Sequence, residues 1–271
     1  YIIIVGIIDS GQILRGEIVI AHINVTVKRL FIYLLGLFFL SLGVSFSIQA
    51  NMGVSPVSSL AYALTLSSGI SIGLMTVAAN VLFIIVQIIL SKRLNVREAI
   101  VQLIIAFLFG GMMDFTLFLV ELLPNPSTIL SQGLFLLVSL FLVALGLLGY
   151  FNAKFPLMPY DELTHVISDR FKMEFSKAKI TSDLLNVIVA AGIGLIFIQS
   201  LGSIGIGTFV AAIFVGKILG WMMRKFQPAL MDFVHLDKDN IQESVERTVL
   251  EQEEQDKKHE EKEEGRSVLE S

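Results

Sequence analysis

The chain has 271 residues, of which 54% are hydrophobic and only 16% charged, and its mean hydropathy is +0.76. Soluble domains carry about 25% charged residues, so this composition excludes an ordinary soluble enzyme and selects a membrane protein. The net charge of −4 is uneven: 14 acids and 6 bases lie from Asp232 onward, against 10 acids and 14 bases before it.

Residues 1–27 begin with Tyr1 and form a short apolar patch followed by Asp9, Arg15 and Glu17. There is no basic start and no small-residue cleavage site, so this is no signal peptide. It is taken as an extension of doubtful status, an upstream addition or fragment boundary, and no function is placed there. From Leu30 to Ser91 there are 62 residues without a charge. As one helix they would reach ~93 Å, about three hydrocarbon cores, so the run must fold back. Asn51-Met-Gly-Val-Ser-Pro56 supplies the break: Gly permits the turn, Ser55 is a candidate cap and Pro56 suits the first helical position. The expected elements are a span at about 30–50, a short helix at about 56–68 and a second span at about 71–91.

A third span is expected at about 99–123, ended by Pro124-Asn-Pro126, and a fourth at about 132–152. A polar stretch, 154–179, contains a second short helix starting at Pro159. Leu184 to Gly216 is again uncharged for 33 residues, and glycines 202, 205 and 207 divide it into spans at about 181–199 and 207–223. The acidic segment 232–271 follows. Ile241, Val245 and Val249 suit a short helix there, and the rest has the composition of a solvated tail. Lys28-Arg29, Lys92-Arg93 with Arg97, the bases of 154–179 and Arg224-Lys225 all fall on one side if six spans cross with both termini inside. That side is the cytoplasm by the positive-inside rule.

The halves repeat. Gly43 and Gly146, Ala50 and Ala153, Pro56 and Pro159, and Leu60 and Leu163 match at one offset, and Asn80 with Asn186, Ala106 with Ala212 and Gly110 with Gly216 at a slightly larger one. Ser71 and Thr76 match Ser176 and Thr181 between them. Three crossings per unit turn the second unit, 131–226, upside down relative to the first, 30–123. The fold class expected is therefore all-α integral membrane, with six transmembrane helices as two inverted repeats, each with a short broken or re-entrant helix.

Ala50-Asn-Met-Gly-Val-Ser-Pro56, Ser71-Ile-Gly73, Phe109-Gly-Gly-Met-Met-Asp114, Lys179-Ile180 with Asp183, and Gly205-Ile-Gly-Thr208 together resemble the YczE/YyaS/YitT family of bacterial multi-pass membrane proteins. The likeness covers about 30–226 and is nearest to the branch with a Gly-Val-Ser-Pro turn, since Val57-Ser58 stands where another branch has Trp-Asp. The resemblance implies an inner-membrane protein whose activity is, for most members, unassigned.

Among candidate site residues, Asp114 stands inside the third span, where a carboxylate costs about 2.5–3.5 kcal/mol on insertion scales and marks function by default. Lys217, seven residues before Arg224, is read as its partner at the midplane or as a residue snorkelling to the interface. Asn80 and Asn186 hold matching mid-helix positions suited to interhelical hydrogen bonds. Ser55-Pro56 and Pro159-Tyr-Asp161-Glu162 start the short helices, whose free N–H groups would make an anion site if they begin within the bilayer. Asp183 reads as a cap with an i,i+4 pair to Lys179, and His165 as a surface residue. Gly69/Gly73 and Gly216/Gly220 are small-xxx-small pairs for helix packing, with a homodimer as the secondary option.

No cysteine is present and four His are scattered, so no disulfide, metal site or cofactor is expected. GxxxxGK[ST] and HExxH are absent, so no enzyme and no nucleic-acid partner is expected. The leading expectation is a secondary transporter or permease in contact with the lipid bilayer, a small solute and a coupling ion. A non-transporting membrane regulator or scaffold is the alternative.

Overall fold

The computed structural model describes residues 2–93 and 95–233, with side chains for these except residues 2–24 and Ser176. The expectations for the tail beyond Phe233, including the Ile241, Val245 and Val249 stripe, lie outside the described residues. The elements are α1 (Ile2–Ala50), α2 (Pro56–Ser68), α3 (Ile72–Ser91), α4 (Val96–Glu121), α5 (Ile129–Asn152), α6 (Pro159–Phe171) and α7 (Phe175–Ile193). A π turn at Gly194–Ile198 extends α7, and α8 covers Ile206–Phe233.

Among the described residues, six segments are long and apolar enough to cross a bilayer: Val25–Ala50, Ile72–Ser91, Val96–Glu121, Ile129–Asn152, Lys177–Ile198 and Ile206–Phe233. Large apolar side chains crowd their outer faces, with Ile129 82% and Ile196 75% exposed. A water-soluble chain does not present apolar surface on this scale, and the chain is a multi-pass membrane protein. The spans agree with those expected, except that several run further. The expected limits stopped at charges, whereas the helices continue through Lys28-Arg29 and Arg224-Lys225, whose long side chains tolerate the interface. No basic residue interrupts 51–70, 122–131 or 200–206.

Among the described residues the chain forms two compact units, residues 2–30 with 228–233, and residues 31–227. In the first, the Lys28 ammonium lies 5.0 Å from the Phe233 ring centre. The second holds everything that follows. Residues 31–50 of α1 run antiparallel to α5, because Gly36 faces the backbone of Gly146 and Tyr150 while Gly43 faces that of Ser139 and Val143. Small residues let the two backbones approach, the favoured packing where lipid supplies no hydrophobic drive. Ser45 and Thr116, both buried, join α1 to α4 by a 2.9 Å hydrogen bond. Met222, Ile218 and Leu219 of α8 pack on Ala144 and Leu148 of α5.

The first break was legible in detail. Asn51 (φ 53) and Gly53 (φ 93) turn the chain in left-handed geometry, and Pro56 begins α2. The turn then pairs with the loop before α8: Val54 N donates to Ser203 O at 3.1 Å and Gly207 N to Met52 O at 2.7 Å. A Cβ on Gly53 would collide with Gly205, so this position needs Gly for space as well as for φ. The short helices exchange partners across the halves. Helix α2 packs on α3 and also on α7, while α6 packs on α7 and also on α3.

Candidate functional site

The site forms where α5 ends and α6 and α7 begin. Helix α5 stops at Asn152, Lys154 turns left-handed (φ 54), and Met158, in extended geometry, precedes Pro159 at the start of α6. Pro loses no hydrogen bond at that position. Asp161 and Glu162 then fall in the first turn, where the helix N-terminus favours negative charge. The Tyr150 hydroxyl, at the end of α5, accepts from Met158 N at 2.5 Å and donates to Asp161 Oδ2 at 3.2 Å. Tyr33 of α1 donates to the Pro156 carbonyl at 3.0 Å, and its ring packs 5.6 Å from that of Tyr150.

From α7, Lys179 reaches both acids: Nζ is 3.6 Å from Asp161 Oδ1 and 3.5 Å from Asp183 Oδ1. It also lies 4.2 Å from the Tyr160 ring centre. The Tyr160 hydroxyl donates to Asp183, and Phe83 of α3 meets the Tyr160 ring edge-on at 5.1 Å. Two carboxylates thus share one ammonium, with Asp161 9% exposed. Burial raises the Tyr160 hydroxyl well above its ordinary range, and the Asp183 carboxylate adds to this, so it stays a neutral donor. Burial also pushes Glu162 up; His165 opposes that shift, and the carboxylates of Glu98, Asp169 and Asp161 reinforce it.

Beside the cluster, between α2, α3, α6 and α7, lies a cavity of about 520 Å³. Its walls are apolar, with Leu82, Phe83, Leu185 and Val189 among them, and Tyr160 and Ser182 also line it. A second cavity of about 440 Å³ lies at the paired break loops, against Asn51, Gly53, Gln132, Ser200 and Gly205.

The structure separates the other expected residues. Asp114 accepts from Ser71 Oγ at 2.9 Å and from Gly73 N at 2.7 Å, so it covers the first turn of α3. Its level is the α3 start, and not the midplane. Free N–H groups at a helix start satisfy a carboxylate without a cation. Lys217 does not pair with it: this exposed side chain lies 5.5 Å over Phe214 of its own helix. The matched and paired glycines do not act alike. Gly110 meets Gly73 and Val77 of α3, while Gly111, Gly216 and Gly220 face open space. Gly69 is likewise open and ends α2 in left-handed geometry.

Ser55 holds the N-cap position of α2 but makes no capping bond; its hydroxyl donates to Ser58 Oγ at 3.3 Å. Asn186 does bridge helices, donating to the carbonyls of Pro56 at 2.7 Å and Val57 at 3.0 Å. Asn80 does not: it donates to Thr76 one turn back at 2.9 Å, and its buried Oδ1 has no partner. Asp183 keeps its i,i+4 pair but is no cap, because α7 already starts at Phe175. His165 is exposed and stacks on Phe175 at 4.4 Å. Tyr33, Tyr150 and Tyr160 were missed as site residues, and Lys179 with Asp183 was read as a local pair. The signal was Tyr150 and Tyr160 flanking the second break, Tyr160 beside Asp161, in a chain with few Tyr.

Comparison with known proteins follows the same lines. The chain is 31% identical over 187 residues to the uncharacterized protein YyaS of Bacillus subtilis (strain 168), covering 69% of this chain and 88% of that protein. No solved structure matches it. Residues 27–224 match the family described as a family of unknown function, DUF6198, and with both breaks and the α6–α7 cluster inside that range, the chain belongs to this YyaS-like family.

Proposed function

We propose that the chain is a secondary transporter of a small solute, rather than an enzyme, working in the bacterial inner membrane with both termini in the cytoplasm. Two inverted repeats, 30–123 and 131–226, would form its halves. The antiparallel run of α1 and α5 and the exchanged partners of α2 and α6 support that symmetry. Transporters of this kind place broken helices and their ion sites at the interface between halves.

The observation that carries the reading is the Asp161–Lys179–Asp183 network at the first turn of α6, beside a cavity. Ionisable groups within membrane bundles are costly and concentrate on solute and ion pathways. Adding a proton to Asp161 would leave Lys179 to Asp183 alone. That would loosen the tie between α6 and α7, coupling a proton to the movement of a broken helix. Purified protein screened against a solute library for thermal stabilisation would find a ligand by mass action. Uptake of that solute into proteoliposomes, with an entrapped pH dye, then tests coupling. Asp161→Asn is expected to abolish proton movement in folded protein. Unaltered proton-coupled uptake by Asp161→Asn would refute the role of the network.

A further inference from the structure

The cavity between α2, α3, α6 and α7 is a groove, apolar along its length and bordered by bases at one end. Its wall on α3 runs from Leu82 to Leu90, on α7 from Thr181 to Val189 and on α6 from Tyr160 to Phe171. Eight residues of helix rise ~12 Å and eleven ~17 Å. Both are close to the ~15 Å that one leaflet contributes to a hydrocarbon core of ~30 Å. Leu82, Leu185 and Val189 are exposed on segments that cross the bilayer, so the groove opens sideways toward lipid. A void there would leave its walls without packing contacts, and a lipid chain supplies them.

Which lipid is favoured depends on the end of the groove. Leu90 is the last residue but one of α3 and Phe171 the last of α6, and Met173, in the link to α7, also lines the groove. Lys92 follows Leu90 by two residues, and Lys172 stands between Phe171 and Met173. Lys177 lies one turn before Thr181, whose hydroxyl donates to its carbonyl. Lys92 and Lys172 each close their helix in left-handed geometry, with N–H groups donating to Ile88 and Ser168, so both side chains rise from a fixed backbone. All three lysines are exposed, and among the described residues none is held in an ion pair, in contrast to Lys179. Arg93 and Arg170 stand beside them, while Asp169 and Glu174 are the neighbouring acids, which leaves this end positive. Basic clusters at the mouths between membrane helices bind anionic head groups.

We propose that the groove holds an acyl chain of an anionic phospholipid, from the leaflet in which α3 and α6 end, and that Lys92, Lys172 and Lys177 bind its phosphate. The chain passes from hydrocarbon to hydrocarbon, so its transfer gains little hydrophobic free energy. The groove fixes the lipid's position, and the lysines supply the selectivity. A zwitterionic head group brings an ammonium of its own to the same three cations and loses that attraction. The inference does not rest on the transport reading, and its test reads lipid contact alone.

The test uses the full chain with its single tryptophan removed by Trp221→Phe. A reporter is then added by Val189→Trp in the groove, or by Ile188→Trp, which is exposed on the same turn of α7 but outside the groove. Each protein is reconstituted in phosphatidylcholine vesicles with a rising fraction of phosphatidylglycerol or phosphatidylcholine brominated on its acyl chains, which quenches tryptophan on contact. Each lysine near an anionic head group contributes about fivefold. At Val189→Trp, brominated phosphatidylglycerol is therefore expected to reach half-quenching at a fraction at least ~tenfold lower than brominated phosphatidylcholine. At Ile188→Trp the two are expected to quench alike. Lys92→Gln, Lys172→Gln and Lys177→Gln together are expected to remove the preference at Val189→Trp. Equal quenching by the two lipids at Val189→Trp, the same preference at both positions, or a preference that survives the three Gln changes would overturn the assignment. Absence of quenching by either lipid would overturn it too, because protein would then fill the groove. If Val189→Trp does not fold, Leu82→Trp on the α3 wall takes its place with the same outcomes.

Discussion

Replacing Lys179 by Met removes the cation that Asp161 and Asp183 share. Each contact is close to 3.5 Å, worth about 4–5 kcal/mol of Coulomb energy at an effective dielectric of 20 before desolvation is counted. The Lys179 and Asp161 side chains are 30% and 12% exposed, so water screens part of this. Exposed pairs retain about 0–1 kcal/mol, whereas breaking a fully buried pair costs about 3–5 kcal/mol. This network lies between, so Lys179→Met is expected to destabilise by about 2–3 kcal/mol. The loss comes from two carboxylates left facing each other as much as from lost attraction. Asp161→Asn added to Lys179→Met therefore returns part of the loss, with a coupling of about 1–2 kcal/mol in the double-mutant cycle. The assay is unfolding in mixed micelles of SDS and a mild detergent, followed by the fluorescence of Trp221, the single tryptophan. A Lys179→Met cost below about 0.5 kcal/mol, or strict additivity, would show that the network is solvated and inert.

Gly53→Ala is expected to cost at least about 2 kcal/mol in the same assay, combining positive φ with a collision against Gly205. Gly69→Ala, also at positive φ but facing open space, should cost only about 1 kcal/mol. Asp114→Ala should cost about 1–3 kcal/mol through the bonds lost at the α3 start, and the change at Lys217→Ala should simply add to it; coupling above about 0.5 kcal/mol would restore the midplane pair. Reporter fusions at Asn125 and Ser203 are expected outside and at Lys177 inside, and the reverse at any one would break the topology. Burial raises the Glu162 pKa in the folded chain, so the folded state holds this proton more tightly than the unfolded state does. That contribution is complete below the unfolded pKa and is lost as pH rises through the folded one. Glu162→Gln should flatten that fall in a pH series of unfolding titrations, and an unchanged slope would contradict it.

The spans were legible because a bilayer demands long uncharged runs, and the 62 residues from Leu30 to Ser91 admit few ways to fold. The first break was legible for an equally local reason: Gly53, Ser55 and Pro56 act within one turn of chain. The site was less so. Asp161 was singled out for its place at a helix start, but its partners come from α5 and α7, and no spacing rule links Tyr150, Tyr160, Lys179 and Asp183 into one cluster. Asp114 was found for its cost in lipid, yet the groups that satisfy it, Ser71 and Gly73, stand more than 40 residues away. Repeat matching was informative for position and misleading for role. Asn80 and Asn186 correspond, but Asn186 reaches across to carbonyls in the first turn of α2 while Asn80 faces its own helix.

The central claim, that the halves move around the α6–α7 site to pass a solute, is open to one direct measurement. The chain has no cysteine, so Thr181→Cys places a single thiol on the exposed wall of the cavity. A membrane-impermeant maleimide is applied to right-side-out and to inverted vesicles in separate experiments. Alternating access predicts labelling from both faces, with saturating ligand changing the ratio of the two rates. Labelling from one face alone, with or without ligand, would mean a static cavity and would contradict transport.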